Sequence, residues 1–340
     1  MDKFSIVIPV YNGAKTIERL LGSIITQREF VEEVLVCNDR SSDDTVKIVN
    51  LYKKILPIEI INVPPELNGY PGNARQCGVD VAKGKWIVFA DADDMLSFTS
   101  LFYYSEIIKK EPEAKLIMCA HDQIGENYDP QAHYVASIPW VHGKAFNTEY
   151  VKQHNIRFPK NVFTHEDKYF VMRNVNCLKA EGLNAVVSDF TTYFWMMSEN
   201  SIVHSKDYAL HSFGESCLAV VEPLEMCKEE YSLSDEKMRE LFIDDAVNCI
   251  AGMYSKMQSF YYFYQKRQIE TSYETFLECY SRIKKLFNLA KQEIIDAVIA
   301  NPDLLQNIRI DAIRVSGNYV DFQTFAQFIE EAEYCLKKAG

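Results

Sequence analysis

The sequence predicts an α/β fold, a mostly parallel sheet flanked by helices, with a helical appendage at the C-terminus. Strand-like and helix-like segments alternate over the first 125 residues. This alternation is typical of βαβ units, whose strands pair in parallel. From about residue 205 the strand patterns disappear, and helix-spaced apolar residues replace them. We therefore expect two domains, residues 1–204 and residues 205–340.

The first βαβ unit is predicted from two residue patterns. Phe4–Val10 is a short β-branched run typical of a buried strand, and Ala14–Gln27 places its apolar side chains on one helical face. A second strand follows at Val31–Cys37. A helix is expected over Asp43–Lys54, because Ser42 is a suitable N-cap and two acids stand in the first turn.

The alternation then continues to a fourth strand. Pro57–Val63 predicts a third strand, Asn73–Lys83 a short helix, and Lys85–Ala90 the fourth strand. In the C-terminal part, helix spacing relates the apolar residues Phe276, Tyr280, Ile283 and Phe287, and later Phe322, Phe325 and Ile329. These residues predict helices with one buried face.

The composition is that of an ordinary globular protein. Of its 340 residues, 48% are hydrophobic and 25% charged, with a formal net charge of -12. This acidic balance argues against nonspecific binding to nucleic acid or to anionic membranes. Nine scattered cysteines without a CxxC spacing favour a reduced protein over a disulfide framework or a zinc site. No apolar run reaches the ~18 residues of a membrane span, and the first strand begins too early for a signal peptide, so we expect a cytoplasmic protein without a transmembrane segment.

Polar clusters follow three of the predicted strands at equivalent places. Residues 11–13 follow the first strand, residues 38–41 the second, and residues 91–94 the fourth. Ligands of open α/β sheets bind in the crevice beyond the carboxyl ends of the strands. We therefore expect the three clusters to meet at one edge of the sheet and to form one site.

The cluster at 91–94 carries the strongest chemical signal. It contains Asp91, Asp93 and Asp94, whose carboxylates repel one another unless a cation or a hydrogen-bonded loop compensates them. Carboxylate oxygens suit Mg²⁺ or Mn²⁺, which commonly bridge protein carboxylates to a substrate's phosphates. The alternative is that Asp93 or Asp94 caps a helix beginning near Ser97. Neither GxGxxG nor GxxxxGK[ST] occurs, so a phosphate-bearing ligand would depend on a metal.

Five segments in order resemble family 2 inverting glycosyltransferases, which have the GT-A fold. They are residues 4–12 for the opening strand, 37–45 for the DDGSxDxT segment, 68–78 for the loop ending in ARNxG, 91–94 for DxDD, and 164–167 for the xED motif. The resemblance covers about residues 1–204. It departs from the family pattern at Asn38, Arg40 and Gln76, while the second acid of DDGS survives as Asp39.

The resemblance implies a GT-A fold, which is Rossmann-like, and a UDP-sugar donor whose sugar moves with inversion to a carbohydrate or other hydroxyl acceptor. It also implies a nucleotide-sugar half of about residues 1–125 and an acceptor half of about 126–204. A divalent cofactor, Mn²⁺ or Mg²⁺, would stabilise the charge growing on the β-phosphate. We expect the C-terminal helices to serve acceptor binding or self-association as a homo-oligomer.

The family pattern also implies roles for individual residues. Asp39 would accept a hydrogen bond from uracil, and Asp91 would contact the ribose or help Asp93 to hold the metal. His204 would be a further metal ligand. The remaining residues expected around the donor are Pro9, Tyr11, Asn12, Asn68, Gly72, Arg75 and Ala92.

Asp167 is the candidate general base in this pattern, with Glu166 as the alternative. A positioned base typically contributes ~10²–10⁴-fold to the rate. The residues also allow a purely structural interpretation, in which Thr164 and Asp167 form a capping box at the start of a helix over Lys168–Asn174. Trp140, His142 and Lys144 precede the acceptor side in the family pattern.

Two other functions use the same acids. A metal-dependent nucleotidyltransferase or pyrophosphorylase would need a basic, glycine-rich phosphate loop near the N-terminus, which the sequence does not contain. A non-catalytic nucleotide-sugar-binding module would not need both an intact acidic cluster and a candidate base. We therefore expect an enzyme of the glycosyltransferase class.

Overall fold

The protein is described by a computed structural model, which covers residues 2–197 apart from 126 and 137–139, and scattered residues between 215 and 300. The chain divides into two compact units, Met1–His204 and Ser205–Gly340. The functional halves predicted within residues 1–204 stay a prediction.

The described part of the first unit contains nine strands and six α-helices. The strands are β1 Phe4–Val10, β2 Val31–Asn38, β3 Ile58–Asn62, β4 Trp86–Phe89, β5 Met95–Leu96, β6 Leu116–Ile124, β7 Pro130–Tyr134, β8 Lys144–Asn147 and β9 Val186–Met196. The helices are α1 Ile17–Ile25, α2 Thr45–Tyr52, α3 Pro71–Val81, α4 Ser100–Lys110, α5 Thr148–Gln153 and α6 Glu166–Ala180.

These strands form one sheet in the order β3-β2-β1-β4-β8-β6-β9-β5, with β7 paired to β6. The four strands β3, β2, β1 and β4 are parallel, as the alternation of strands and helices predicted. Beyond β4 the sheet is mixed, because β8 is antiparallel to both of its neighbours while β9 runs parallel to β6. The α/β fold class is therefore confirmed, with its parallel part confined largely to one side of the sheet.

Helices cover both faces of the sheet. Alternate residues of a strand point to opposite faces, so Phe4, Ile6 and Ile8 of β1 pack with α1, α2 and α4. Val7 lies on the other face, in the cluster that includes residues of α3, α5 and α6. A Cβ at Gly78 of α3 would come within 2.5 Å of Val7 Cγ1, so glycine allows α3 to approach β1 closely. The result is a three-layer arrangement with the sheet in the middle.

A cluster of four phenylalanines fixes α6 against the carboxyl end of β4. The ring of Phe89, the last residue of β4, lies 5.4–5.6 Å from the rings of Phe146, Phe158 and Phe170. Phe170 belongs to α6 and is fully buried. This packing matters for the site because the acidic cluster begins two residues after Phe89.

The predicted helix starts are corrected at two places. The helix expected from residue 73 begins at Pro71, where proline suits the first helical position. Ser42 does not cap α2; its amide donates to Asn12 Oδ1, and Asp43 Oδ1 accepts instead from the Thr45 amide. The second correction ties Ser42 to the polar cluster at residues 11–13.

The second unit is described at scattered positions, which are helical except for Asn288 and Leu289. Arg282 forms an ion pair with Glu225 at 2.5 Å, and Val221 and Phe242 are buried. The apolar positions predicted at residues 276–287 and 322–329 lie outside the described residues. No helix among the described residues is both long and apolar enough to cross a membrane. Among the described cysteines, Cys37, Cys77 and Cys119 are free thiols.

Candidate active site

The loops that follow β1 and β2 are joined by hydrogen bonds. The Asn12 amide donates to Ser41 Oγ (2.9 Å), and Asn12 Oδ1 accepts from the Ser42 amide (2.8 Å). Asn38 supports the same turn, since its Oδ1 accepts from the Ser41 amide (3.0 Å). Arg40 has a φ of 58°, in the left-handed region that glycine favours. Asn38 thus stabilises this turn, and Arg40 adopts a backbone conformation that glycine adopts more readily.

Asp39 has one engaged oxygen and one without a partner. Its Oδ2 accepts a hydrogen bond from the Gly69 amide (2.7 Å), which ties the loop after β2 to the loop containing Asn68. Its Oδ1 is buried and has no hydrogen-bond partner among the described residues. Because a buried acceptor normally has a partner, this oxygen is suited to an N–H group of a ligand.

The acidic turn, residues 91–94, is held in place by hydrogen bonds from residues of β9. Tyr193 donates its hydroxyl hydrogen to Asp94 Oδ2 (2.5 Å), and the Met196 amide donates to Asp94 Oδ1 (2.8 Å). Helix α4 begins at Ser100 with Thr99 as its N-cap, and no side chain forms a capping hydrogen bond there. The predicted capping role of Asp93 or Asp94 is therefore wrong. Asp94 instead anchors the turn and is not free for a metal.

At this turn Asp93 remains without an ion-pair partner in the described part of the chain, and Asp91 has one of its oxygens bound by Arg75. Burial and the neighbouring charge of Asp91 raise the pKa of Asp93. The Asp93 side chain forms no ion pair with any described residue, whereas Asp91 pairs with Arg75. A partly buried carboxylate with a like charge beside it is an environment that a cation would stabilise.

The donor set fits a divalent ion that protein carboxylates hold only in part. Among the described residues, no group of three or more histidine, cysteine, aspartate or glutamate side chains is arranged to hold a metal. Two carboxylates with substrate phosphates and water completing the coordination are typical of Mg²⁺ sites. His204, the predicted further ligand, lies outside the described residues.

Arg75 connects the acidic turn to α6. Its Nη2 lies 2.6 Å from Asp91 Oδ1, and its Nη1 lies 2.5 Å from Glu166 Oε1. The side chain is buried, which disfavours its charge, yet the carboxylates of Asp91 and Glu166 outweigh burial and raise the pKa of Arg75. Glu166 is thus committed to an ion pair. A paired, buried carboxylate is poorly suited to abstract a proton from a substrate.

The start of α6 places Asp167 differently from Glu166. The N-cap is His165, with a φ of 61°, rather than the predicted Thr164, and the His165 side chain makes no capping hydrogen bond. The helix runs over Glu166–Ala180 rather than Lys168–Asn174. Asp167 Oδ1 accepts from the Lys168 amide (2.8 Å), while its Oδ2 has no hydrogen bond to another described residue. Burial raises the pKa of Asp167 to about 6, with Arg75 opposing this rise.

Gly72 lets α3 and α6 meet. A Cβ at this position would lie 2.8 Å from Glu166 Cγ and 3.0 Å from Glu166 Cβ. Such contacts are closer than side chains tolerate without movement. Glycine at the first turn of α3 therefore allows Glu166 to reach Arg75.

The other predicted donor residues lie around this edge in different states. Pro9 is half-buried near the end of β1, and Tyr11 is 67% exposed. Ala92 is buried next to Gly13, whose added Cβ would lie 3.4 Å from the Ala92 Cβ. The structure thus brings together Arg75, Asp91, Glu166 and Asp167, while the contacts expected of Pro9 and Tyr11 with a nucleoside stay predictions.

Tyr193 is a site residue that the sequence analysis did not identify. Besides holding Asp94, its hydroxyl accepts a hydrogen bond from the Asp91 amide (3.1 Å). The β-branched and aromatic residues of Val186–Met196 are a usable strand signal. Tyr193 and Asp94 are 99 residues apart, and nothing in that local signal indicates that this strand contacts the acidic turn.

The α/β layers, with an acidic turn beside a carboxylate-bearing helix, match the GT-A fold of a class of sugar-transferring enzymes. The model of glycosyl transferase family 2 matches residues 5–175, and the chain belongs to that family.

Similar proteins include two curated relatives. Poly(ribitol-phosphate) beta-glucosyltransferase of Bacillus spizizenii is 28% identical over 206 residues, which is 56% of this chain and 32% of the relative. Poly(ribitol-phosphate) beta-N-acetylglucosaminyltransferase TarS of Staphylococcus aureus is 28% identical over 247 residues, 68% of this chain and 42% of the relative. The match thus spans less than half the length of either relative.

Solved structures support the fold. A crystal structure of S. aureus TarS gives a TM-score of 0.61 at 19% identity, covering 92% of this chain and 54% of that chain. A second crystal structure, of TarS 1-349 in complex with UDP-GlcNAc, gives 0.54 at 18% identity and covers 85% of this chain and 92% of that chain.

Proposed function

We propose that the protein transfers a sugar from a UDP-sugar to a hydroxyl of a carbohydrate or other acceptor, with inversion at the anomeric carbon. Asp167 is the general base, and Asp91 and Asp93 would hold a divalent ion that would stabilise the charge on the departing UDP. The observation that supports this proposal is the difference between the two adjacent acids at the start of α6. Arg75 occupies Glu166 but leaves one oxygen of Asp167 without a hydrogen-bond partner among the described residues.

The donor half of the proposal starts from Asp39. Its Oδ1, which has no partner in the described part of the chain, accepts a hydrogen bond from the uracil N–H. TarS has been crystallised with UDP and with UDP-GlcNAc, and the curated relatives are named as a glucosyltransferase and an N-acetylglucosaminyltransferase. We therefore select UDP-glucose and UDP-GlcNAc as the first donors to test.

The metal is Mn²⁺ or Mg²⁺, held by Asp93 together with Asp91. When bound, such an ion would neutralise the charge that develops on the leaving diphosphate. The residues of this chain prepare that position. Tyr193 and the Met196 amide hold Asp94, which sets the turn that carries Asp91 and Asp93.

Asp167 removes the proton from the acceptor hydroxyl while the oxygen of that hydroxyl attacks the anomeric carbon of the donor sugar. The deprotonated carboxylate is the active form, and the pKa of Asp167 is raised to about 6. The base is therefore largely ionised near neutral pH, while its basicity stays higher than that of an ordinary aspartate.

Both relatives named above carry poly(ribitol-phosphate) in their names, so poly(ribitol-phosphate) is the first acceptor to test.

The decisive experiment measures UDP release from a panel of UDP-sugars with and without Mn²⁺, alongside calorimetry of UDP binding. We expect one or two sugars to turn over, and only with metal. Asp93→Ala should abolish the effect of metal on UDP binding. Asp189→Ala is the matched control, because Asp189 is an exposed aspartate on β9 that pairs with His133.

Two outcomes would contradict this proposal. Tight UDP binding by the wild type without metal would rule out the acidic turn as the metal site. Metal-dependent UDP binding with no turnover of any UDP-sugar, with or without acceptor, would favour a non-catalytic nucleotide-sugar-binding module instead.

A further inference from the structure

Lys144 is a buried cation on the face of β8 that α6 covers. Phe146, two residues later on the same face of the strand, has its ring 5.2 Å from that of Phe170 on α6. Lys144 is the first residue of β8, an inner strand between β4 and β6, and it is only 2% exposed. Burying an ammonium group is costly unless hydrogen bonds and an opposite charge compensate it. We therefore expect compensating interactions around the Lys144 ammonium.

The Lys144 ammonium holds the loop that precedes β8. Its Nζ donates to the carbonyl oxygen of Trp140 (2.5 Å) and lies 3.5 Å from that of His142. These contacts leave it without a direct ion pair to any described carboxylate. The carboxylate of Asp167 on α6 raises the pKa of Lys144 and so partly opposes the effect of burial. Cys119 on β6 acts in the same direction to a smaller extent.

The other groups around Lys144 add no positive charge. Burial lowers the pKa of His121 to about 4, and burial also lowers the pKa of His142 well below its usual value. Both imidazoles are therefore neutral at physiological pH. Of these three neighbouring side chains, Lys144 is therefore the one that carries a positive charge.

We infer that Lys144 is a positioning residue for the transfer step, which holds the loop of residues 140–143 and serves, in addition to Arg75, as a second counter-charge of Asp167. This inference rests on the proposed role of Asp167 as the base. It follows from the way Arg75 is used, since its guanidinium directly contacts two other carboxylates, Asp91 and Glu166. Arg75 also favours the ionised form of Asp167 without contacting it, and Lys144 adds a second positive charge.

The order of the two pKa values supports this role. Burial lowers the pKa of Lys144 to about 7, while that of Asp167 is raised to about 6. The ammonium is consequently still charged over the range in which Asp167 loses its proton. Arg75 on α3 and Lys144 on β8 favour the ionised base, whereas Asp91 and Glu166 oppose it.

The test compares Lys144→Met with Lys144→Arg by the pH dependence of kcat/KM for UDP release. We expect the rising limb of Lys144→Met to move to higher pH, because loss of a nearby positive charge disfavours the ionised base. Lys144→Arg should return the limb toward the wild-type position. Lys152→Met is the control, since Lys152 also ties a backbone carbonyl, that of Ala82, at 2.8 Å.

A second measurement does not require Lys144→Met to fold. The ¹³Cε signal of Lys144 is titrated in the wild type and in Asp167→Asn, where the counter-charge is absent. We expect the apparent pKa of Lys144 to fall by about one unit in the variant. An unchanged lysine pKa, or a Lys144→Met profile identical to that of the wild type, would overturn the inference.

The two proposals fail in different ways. If Asp167→Asn keeps full turnover, the base has been assigned to the wrong residue. If Asp167→Asn loses turnover while the Lys144 variants keep the wild-type pH profile, only the role of Lys144 is wrong.

Discussion

At the scale of single residues, the site depends on how one guanidinium is shared. Arg75 is 5% exposed and contacts Asp91 and Glu166 with different nitrogens. Charge-assisted bonds of this kind are short and directional, and lysine cannot reproduce them with a single ammonium group. The pairing separates two adjacent acids of α6 into a structural one, Glu166, and a free one, Asp167.

This separation predicts different effects for two isosteric substitutions. Asp167→Asn should lower kcat by ~10²–10⁴-fold and leave UDP affinity unchanged, because the base acts only in the transition state. Glu166→Gln keeps a hydrogen-bond acceptor for Arg75 and should lower kcat by less than about tenfold. Initial rates and calorimetry with UDP measure both effects. Larger loss in Glu166→Gln than in Asp167→Asn would transfer the base to Glu166.

The same base predicts the pH dependence of the wild-type enzyme. Because the pKa of Asp167 is raised to about 6 and the ionised form is active, kcat/KM should rise as the pH increases through that value. Rates of UDP release between about pH 5 and about pH 8 would show the limb. The limb should be absent from the residual rate of Asp167→Asn, whose amide does not titrate.

At the scale of elements, the junction of α3 and α6 controls the site. Gly72→Ala would place a Cβ 2.8 Å from Glu166 Cγ and push the glutamate away from Arg75. We expect a destabilisation of about 1–3 kcal/mol, as for overpacked cores, and a lower kcat/KM. Urea denaturation and initial rates measure the two effects. Gly22→Ala is the control, since an added Cβ at Gly22 of α1 meets nothing within 4 Å.

The elements that could be predicted are those whose signals are local. The strands around β1 and β4 and the helices between them follow from short patterns of apolar residues, and they are confirmed with boundary shifts of a few residues. The role of Asp94 could not be predicted in this way. Acids before a helix usually serve as caps, but here contacts from β9 take this carboxylate instead.

The same limit applies to the candidate site. The convergence of polar clusters at one edge follows from the rule for parallel sheets, and the tie between Asn12 and Ser41 agrees with it. The bridge from Arg75 to Glu166 spans 91 residues of sequence and belongs to tertiary packing. A sequence motif supplied the residues, whereas only the fold distinguishes Glu166 from Asp167.

At the scale of the whole molecule, the division into Met1–His204 and Ser205–Gly340 makes a prediction about independence. A fragment of residues 1–204 contains the sheet and every site residue proposed above. We expect it to unfold in one cooperative transition and to bind UDP with Mn²⁺ as the full chain does. Thermal unfolding and calorimetry are the measurements. A fragment that does not fold would mean that residues 205–340 are needed for stability.

The anchoring of Asp94 by Tyr193 has a consequence for biosynthesis. The two residues are 99 positions apart, so the contact joins segments that are distant in sequence. A nascent chain can pair β1 to β4 early, because these strands are complete by residue 89. The turn that carries Asp91 and Asp93 must wait until translation has passed β9. A ribosome stalled before that strand would therefore hold a chain with a formed parallel sheet and an acidic turn that is not yet anchored.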